Sequence, residues 1–440
     1  MKKSMIERGG LLAMGMLCML GVSAQKVSLT VEQYQQLKQQ GRLPASYDLL
    51  MPQQPAPAKV SSKAPVQHGT LKGGGGGNTC DCWIEPDGTY TLAMGPNDDF
   101  SSGLITIPFQ FNLYGDLYTN LYINNNGNVS FDAPWGTFTA TPFPTASFAM
   151  VAPFWGDVDT RGDDGLGLNG GTVEYKITST ALYVNWSDVG YFNSYTDKHN
   201  SFQLIITDGT DPVIGVGKNV SFCYKEMEWT TGDASGGSGG FGGSPAVVGS
   251  NRGNGVDFIQ FGTFDQPGGA YDGPFGANDG IDWLDQKNFV FTTSVSTANI
   301  PPIASGLLLC DTLTVCINEI VELDMSFLSP ETGQTTVASS SAPTLSNYTE
   351  VSNTSGNTAV INSTFTPLAG EVGYHTISYT ATDDGTPPLT TTIDIVVNVV
   401  YTSATPPVIS GDTAACEGVG TVLTASPGFD NYEWSNGYNG

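Results

Sequence analysis

Asp157-Val158-Asp159-Thr160-Arg161-Gly162-Asp163-Asp164 places four carboxylates within eight residues. Acceptor-only oxygens at that density suit a hard cation such as Ca²⁺, with Asp157, Asp159, Asp163 and Asp164 as candidate ligands. The spacing is not that of an EF-hand loop, and plainer uses compete. Asp157 and Asp159 can cap turns, and Arg161 can pair with a neighbouring carboxylate. Arg161-Gly162-Asp163 is also the tripeptide presented by many integrin ligands, which makes these three candidate binding residues. Trp135, Trp155 and Tyr191 are candidates of another kind, aromatic faces on which a sugar ring could stack.

Other chemistry is thinly represented. The three histidines fall in a low-complexity stretch (His68), a loop at a strand edge (His199) and a strand (His375). There is no His-x-x-x-His, no CxxC pair and no Gly-x-Ser-x-Gly elbow. A glycoside hydrolase needs only two carboxylates across a cleft and is the least implausible enzyme. Acids are common throughout this chain, however, and no constellation marks a site. The glycine-rich tract 232–255 lacks the Gly-Lys-Ser/Thr ending of a phosphate loop and reads as a surface loop. With 42 acidic against 16 basic residues the formal net charge is −26. Such a surface repels phosphate backbones and anionic head groups, which excludes nucleic acid and membrane surfaces as partners. It suits divalent cations, and equally the solubility of an exported protein.

The acidic run closes the segment 118–159, and that segment shows what must position it. Leu121/Ile123 and Val129/Phe131 alternate on either side of Asn124-Asn125-Asn126-Gly127, the residue set that tolerates positive φ in a tight hairpin. Short β-branched and aromatic runs between Gly, Asn, Asp and Thr continue along the chain, so the fold class is all-β. The N-terminus reads as a signal peptide over residues 1–24: Lys2, Lys3 and Arg8, then apolar Leu11 to Leu20, then Val22-Ser23-Ala24 before cleavage. That apolar run is too short to span a bilayer, and no other run is long enough, so the expected product is secreted or at the cell surface without a transmembrane segment. Leu17 precedes Cys18 where a lipobox wants a small residue. Residues 25–78 read as a leader. Thr30-Val31-Glu32-Gln33 is a capping box opening a short helix through Leu37 that stops near Gly41. A Pro-rich and then Gly-rich tether follows, with no core expected in it.

The order of the segments says more. LYINNNGNVSF (121–131) is followed by PFPTASFAMVAPFWGDVDTR (142–161), then Trp186, Gly190-Tyr191-Phe192 and NSFQLIITDG (200–209). Phe222-Cys223-Tyr224, Met227, Trp229-Thr230-Thr231-Gly232, the glycine-rich tract and Asp279-Gly280-Ile281-Asp282-Trp283-Leu284 come next. This series resembles the nidogen-like (NIDO) extracellular domain, here of bacterial type, over residues 79–297. The resemblance implies a β-sandwich-type domain of the kind found in extracellular matrix and cell-adhesion proteins.

Residues 298–402 alternate at Ile320–Leu323, Ala359–Asn362, Tyr374–Tyr379 and Ile393–Val400, a sandwich-like spacing. GYHTISYTATDDGTPPLTTTIDIVVNV resembles the last two strands of a cadherin-like or immunoglobulin-like module. Tyr401-Thr402-Ser403-Ala404 stands where a cadherin's acidic calcium linker would follow, so calcium is not carried over to this module. Residues 403–440 resemble the first half of an immunoglobulin-like repeat common in large bacterial surface proteins. Trp434 is placed there to pack on a disulfide from Cys416 to a later strand, and this truncated sandwich is expected to continue past Gly440.

Export favours disulfides among Cys80, Cys82, Cys223, Cys310, Cys316 and Cys416. Cys80 and Cys82 are too close to bridge each other. One of them could reach Cys223 and pin the leader to the family's Phe-Cys-Tyr strand. Cys310 and Cys316 would stand roughly 20 Å apart on a continuous strand, and pair only if Asp311-Thr312 turns the chain. The connectivity stays open. The function that the resemblance implies is non-enzymatic adhesion by a modular protein. Its partners would be extracellular matrix, a host or neighbouring cell surface, or a glycan. The alternative is a carbohydrate-binding surface module working through Trp135, Trp155 or Tyr191.

Overall fold

The computed structural model describes residues 27–44, 47–50, 82–162, 170–294, 299–305, 312–401, 409–410 and 424–425. The signal peptide, most of the tether, Asp163, Asp164, Cys80, Cys310, Cys416 and nearly all of 403–440 lie outside the described residues. No helix among the described residues is long and apolar enough to cross a membrane.

The leader differs from the tether expected of it. Thr30 caps a helix over Val31–Gln39, its side chain accepting from the Gln33 amide while the Gln33 side chain accepts from the Thr30 amide. The chain then turns at Gly41, with φ of 59°. Strands Val27–Thr30 and Tyr47–Leu50 pair in parallel on either side of the helix, a small βαβ unit with Leu29 and Tyr34 buried. The strands are too short to show an alternation, and their pairing depends on a crossover that a local reading does not see.

From Cys82 onward the chain is all-β, as its composition implies. Seven strands form one sheet, in the order Asp279–Gly280, Phe258–Gln266, Ala246–Asn251, Met150–Trp155, Asn128–Ser130, Asp116–Asn124, Ile105–Leu113. A second sheet carries Asn288–Phe291, Val220–Met227, Tyr195–Thr207, Ala181–Tyr191, Thr172–Ile177 and Thr91–Leu92. One hydrophobic core joins the two faces, through Phe111, Ile123, Val151 and Phe154 on one side and Trp186, Phe202, Leu204 and Phe222 on the other. Trp186 stacks on Phe202 at 5.1 Å between ring centroids, and Trp229 meets Phe154 edge-on at 5.3 Å. Rings of this size each remove roughly 150–250 Å² from water and dominate the energetics of a sandwich core.

The second sheet does not stop at the boundary expected at 297/298. Strand Ile303–Ser305 pairs with Asn288–Phe291 on one side and Val321–Leu328 on the other, and the sheet continues through Thr358–Phe365 to Thr349–Thr354. Ile300, Ile303 and Leu328 belong to the first core. Beyond them Leu313–Cys316, Thr390–Val400, Gly373–Asp383 and Thr336–Ser341 form a four-stranded sheet. It encloses a second core with Met325, Phe327 and Ile361. The alternating segments expected there are strands, and the two sandwiches share one continuous sheet.

Candidate functional site

Three loops meet at the end of the seven-stranded sheet: Asn97–Phe100, the turn after strand Asp116–Asn124, and the loop after strand Met150–Trp155. The turn is the hub. Asn125 Nδ2 donates to the carbonyls of Asp98 and of Val158, the latter at 2.7 Å. Asn124 Nδ2 donates to Asn128 Oδ1 at 2.7 Å and Ser130 Oγ at 3.0 Å. Asn126 Nδ2 donates to Asp99 Oδ1 at 2.7 Å. Thr160 Oγ1 accepts from the Asn97 amide at 2.8 Å, and Trp186 Nε1 donates to the Asn125 carbonyl at 3.2 Å. All three asparagines are fully buried. Their residue type is therefore set by the amide bonds a buried polar side chain must make. Positive φ, the reason expected from the sequence, applies to Gly127 alone, at 73°.

The acidic run is divided by this arrangement. Asp159 is buried and saturated: it accepts from the Arg161 amide at 3.0 Å, from Arg161 Nε at 2.8 Å and Nη2 at 2.5 Å, and from the Ser194 amide at 2.8 Å. It is an anchor for Arg161, its oxygens already taken by these donors. Asp157 instead joins Asp98 and Asp99: one carboxylate oxygen from each lies within 4.8 Å of the others, and all three residues are buried. Asp163 and Asp164 lie outside the described residues. Asp98 and Asp99 were not candidates from the sequence, because adjacent acids are common in this chain and only the tertiary fold brings these two to Asp157.

Arg161 stands between the two groups, its Nη2 3.6 Å from Asp98 Oδ2. Burial works against its charge. Its bonds to Asp159 and the fields of Asp98, Asp159 and Asp99 outweigh that and hold the guanidinium above its ordinary range. A Cβ on Gly162 would stand 2.3 Å from Thr196 Cγ2 and 3.0 Å from the Ser194 carbonyl oxygen. Arg161 and Gly162 are thus packed into the domain and not extended as a recognition arm.

The aromatic candidates separate in the same way. Trp155 and Tyr191 are each 1% exposed, and neither offers a ring face to a sugar. Trp155 Nε1 donates to the Thr137 carbonyl at 2.8 Å, and the Tyr191 hydroxyl donates to Asp197 Oδ1 at 2.8 Å. Burial and the Asp197 carboxylate together raise the Tyr191 hydroxyl above its ordinary pKa. Trp135 is half-buried, its ring centroid 4.0 Å from that of Phe148. A sugar platform needs an open ring face, and the strand Met150–Trp155 that carries Trp155 is buried on both faces.

Cys82 and Cys223 form a disulfide with Cα atoms 5.8 Å apart, fixing the start of the domain to strand Val220–Met227. Cys316 carries no disulfide among the described residues. His375 holds the Thr344 hydroxyl at Nδ1 and the Glu371 carbonyl at Nε2, and the His199 amide donates to Glu228.

Comparison with known proteins agrees with the motif order. Residues 82–257 match the family described as NIDO related. Alpha-tectorin of Gallus gallus is 34% identical over 186 residues, 37% of this chain and 8% of that protein. Alpha-tectorin of Homo sapiens is 34% identical over 187 residues, again 37% and 8%. Nidogen of Drosophila melanogaster is 26% identical over 164 residues, 32% of this chain and 12% of that protein. The chain thus spans about a tenth of the length of these relatives. The disulfide from Cys82, the asparagine hub, the converging carboxylates and the Trp229-to-Gly232 segment all fall within residues 82–257, and those residues are a NIDO-related domain.

Proposed function

We propose that this chain is an exported, modular adhesion protein without catalytic activity, attaching to matrix or to a host or neighbouring cell surface through its NIDO-related domain. The observation that carries this reading is the domain itself, shared with nidogen and alpha-tectorin. NIDO domains are, by the resemblance drawn above, domains of matrix and adhesion proteins. The architecture supports it. The asparagine amides at the loop junction donate to neighbouring loops and tie them together, a use that favours rigidity over turnover. The sandwich that follows, read as cadherin-like or immunoglobulin-like, extends the same sheet. A shared sheet resists hinging where a flexible linker would not, which suits a stalk presenting a domain at a distance.

The test is binding of the full chain to immobilised matrix preparations and to intact cells, read as saturable, competable binding. Absence of saturable binding to either would overturn the adhesion reading. A defined glycan bound on an array with no matrix or cell binding would replace it with the carbohydrate-binding alternative.

A further inference from the structure

The buried acids of the loop junction are an arrangement that a protein does not keep without compensation. Asp98, Asp99 and Asp157 bring three carboxylates within 4.8 Å of one another, each out of reach of bulk water. Like charges at that separation repel strongly in a low-dielectric site. Arg161 reaches Asp98 Oδ2 with Nη2 at 3.6 Å while directing its Nε and Nη2 to Asp159, so one guanidinium is shared between Asp159 and the cluster.

A second observation points to a ligand at the same place. Asn126 is fully buried, and its Nδ2 bond to Asp99 holds the amide against the cluster. Its Oδ1 is a buried acceptor with no hydrogen-bond donor among the described residues. Buried amide oxygens are normally satisfied, and one left over on an amide already bonded to Asp99 is the hard, neutral donor that an oxygen-seeking cation takes. The backbone is also thinned beside the acids. A Cβ on Gly232 would stand 2.4 Å from Asp157 Oδ2, and one on Gly136 would stand 2.6 Å from the Asp99 carbonyl oxygen.

We infer that Asp98, Asp99, Asp157 and Asn126 Oδ1 form a calcium centre that ties loop Asn97–Phe100 to the asparagine turn and to the loop after Trp155. Ca²⁺ accepts irregular sets of six to eight oxygens, and carbonyls or water complete such a set. Mg²⁺ demands a near-ideal octahedron and gives up its waters reluctantly, so a buried site discriminates against it. The centre uses one of the four acids of the 157–164 run expected to bind calcium, and recruits its other carboxylates from far upstream. It does not depend on the adhesion reading, because its readouts are ion binding and melting.

The experiment uses the full chain stripped with chelator. Terbium is added first, with excitation of tryptophan, since Trp186 contacts the asparagine turn directly. Sensitised terbium emission that calcium displaces, at one ion per chain, is expected. Calcium at about a hundred times its dissociation constant should raise the melting midpoint by about 5 °C or more, and magnesium at the same concentration by less than half as much. Asp98→Asn and Asp157→Asn should each abolish the calcium shift. Asp157→Asn also removes one of three repelling charges and leaves the Arg161–Asp98 pair in place, so its midpoint without calcium should match or exceed the parent's. Asp272→Asn, remote from the cluster, should retain the shift. The inference is overturned if the parent chain shows neither terbium emission nor a calcium shift, or if the shift survives both cluster substitutions. Should either variant fail to fold, terbium emission and calcium displacement on the parent chain decide alone.

Discussion

Gly127 and Phe154 meet backbone to backbone: the Phe154 amide donates to the Gly127 carbonyl at 3.2 Å, and a Cβ on Gly127 would stand 1.8 Å from the Phe154 carbonyl oxygen. The contact joins the asparagine turn to the strand that delivers Asp157, so the turn's conformation and the junction's geometry are one constraint. At a φ of 73° an L side chain is already strained, and here it also has no space. Gly127→Ala should lower unfolding free energy by about 3–4 kcal/mol in denaturant titration followed by tryptophan fluorescence. A loss under 1 kcal/mol would mean that the two backbones separate easily and the junction is not rigid.

The Cys82–Cys223 bridge closes a sequence separation of 141 residues. Cross-links over long loops restrict the unfolded chain most, and removal of a native bridge costs about 2–5 kcal/mol. Cys82→Ala/Cys223→Ala should lower stability by that amount while residues 82–294 still fold. Alkylation of the denatured, unreduced protein should label Cys316 and leave Cys82 and Cys223 unmodified. Labelling of Cys82 or Cys223 in exported protein would refute the bridge.

Much of this fold is legible in sequence because strand alternation is local. The pattern around Leu121, Ile123, Val129 and Phe131 gives both strands of the hairpin, and the segments at 359–362, 374–379 and 393–400 lie within strands. The capping box at Thr30 is equally local, and the helix is there. What resisted reading depends on partners distant in the chain. Asn125 reaches carbonyls 27 and 33 residues away, and no local rule says so. Asp98 and Asp99 look like ordinary turn acids until the fold sets Asp157 against them. Tyr191 looks like a candidate platform because aromatic type alone does not tell a strand buried on both faces from one with a solvated side.

Arg161 offers a sharper separation of structure from recognition. Its side chain is 29% exposed and its forked bonds go to a fully buried Asp159. Arg161→Ala leaves that carboxylate with backbone and Ser194 donors only, and should cost about 2–4 kcal/mol. Arg161→Lys should restore less than half, because a point charge cannot fill the fork. Adhesion should fall only as far as the folded fraction falls. Adhesion abolished at unchanged stability would instead favour the Arg-Gly-Asp tripeptide as the contact.

Two buried acids predict an unusual pH dependence for so acidic a protein. Burial pushes Asp279 up to about 7, and the Asp272 amide, donating at 3.1 Å, offsets this only in part. Burial likewise pushes Asp285 up to about 7, against the Met227 amide at 2.9 Å. In the unfolded chain both titrate near 3.9. Between about pH 4 and pH 7 the folded state therefore holds more protons than the unfolded one, and stability must fall as pH rises through that window. Asp87, lowered to about 2 by bonds from Thr89 and Lys176, acts with the opposite sign and only at lower pH, its contribution lost as pH falls from about 4 towards 2. The expected profile has its maximum near pH 4–5 and a decline towards neutrality. Asp279→Asn cannot ionise, so its midpoint relative to the parent should rise from pH 4 to pH 8. Thermal melts at pH 4, 5.5, 7 and 8 measure this difference. An offset that is the same at all four values would show that Asp279 titrates alike in the folded and unfolded chain, and that its buried position does not oppose its charge.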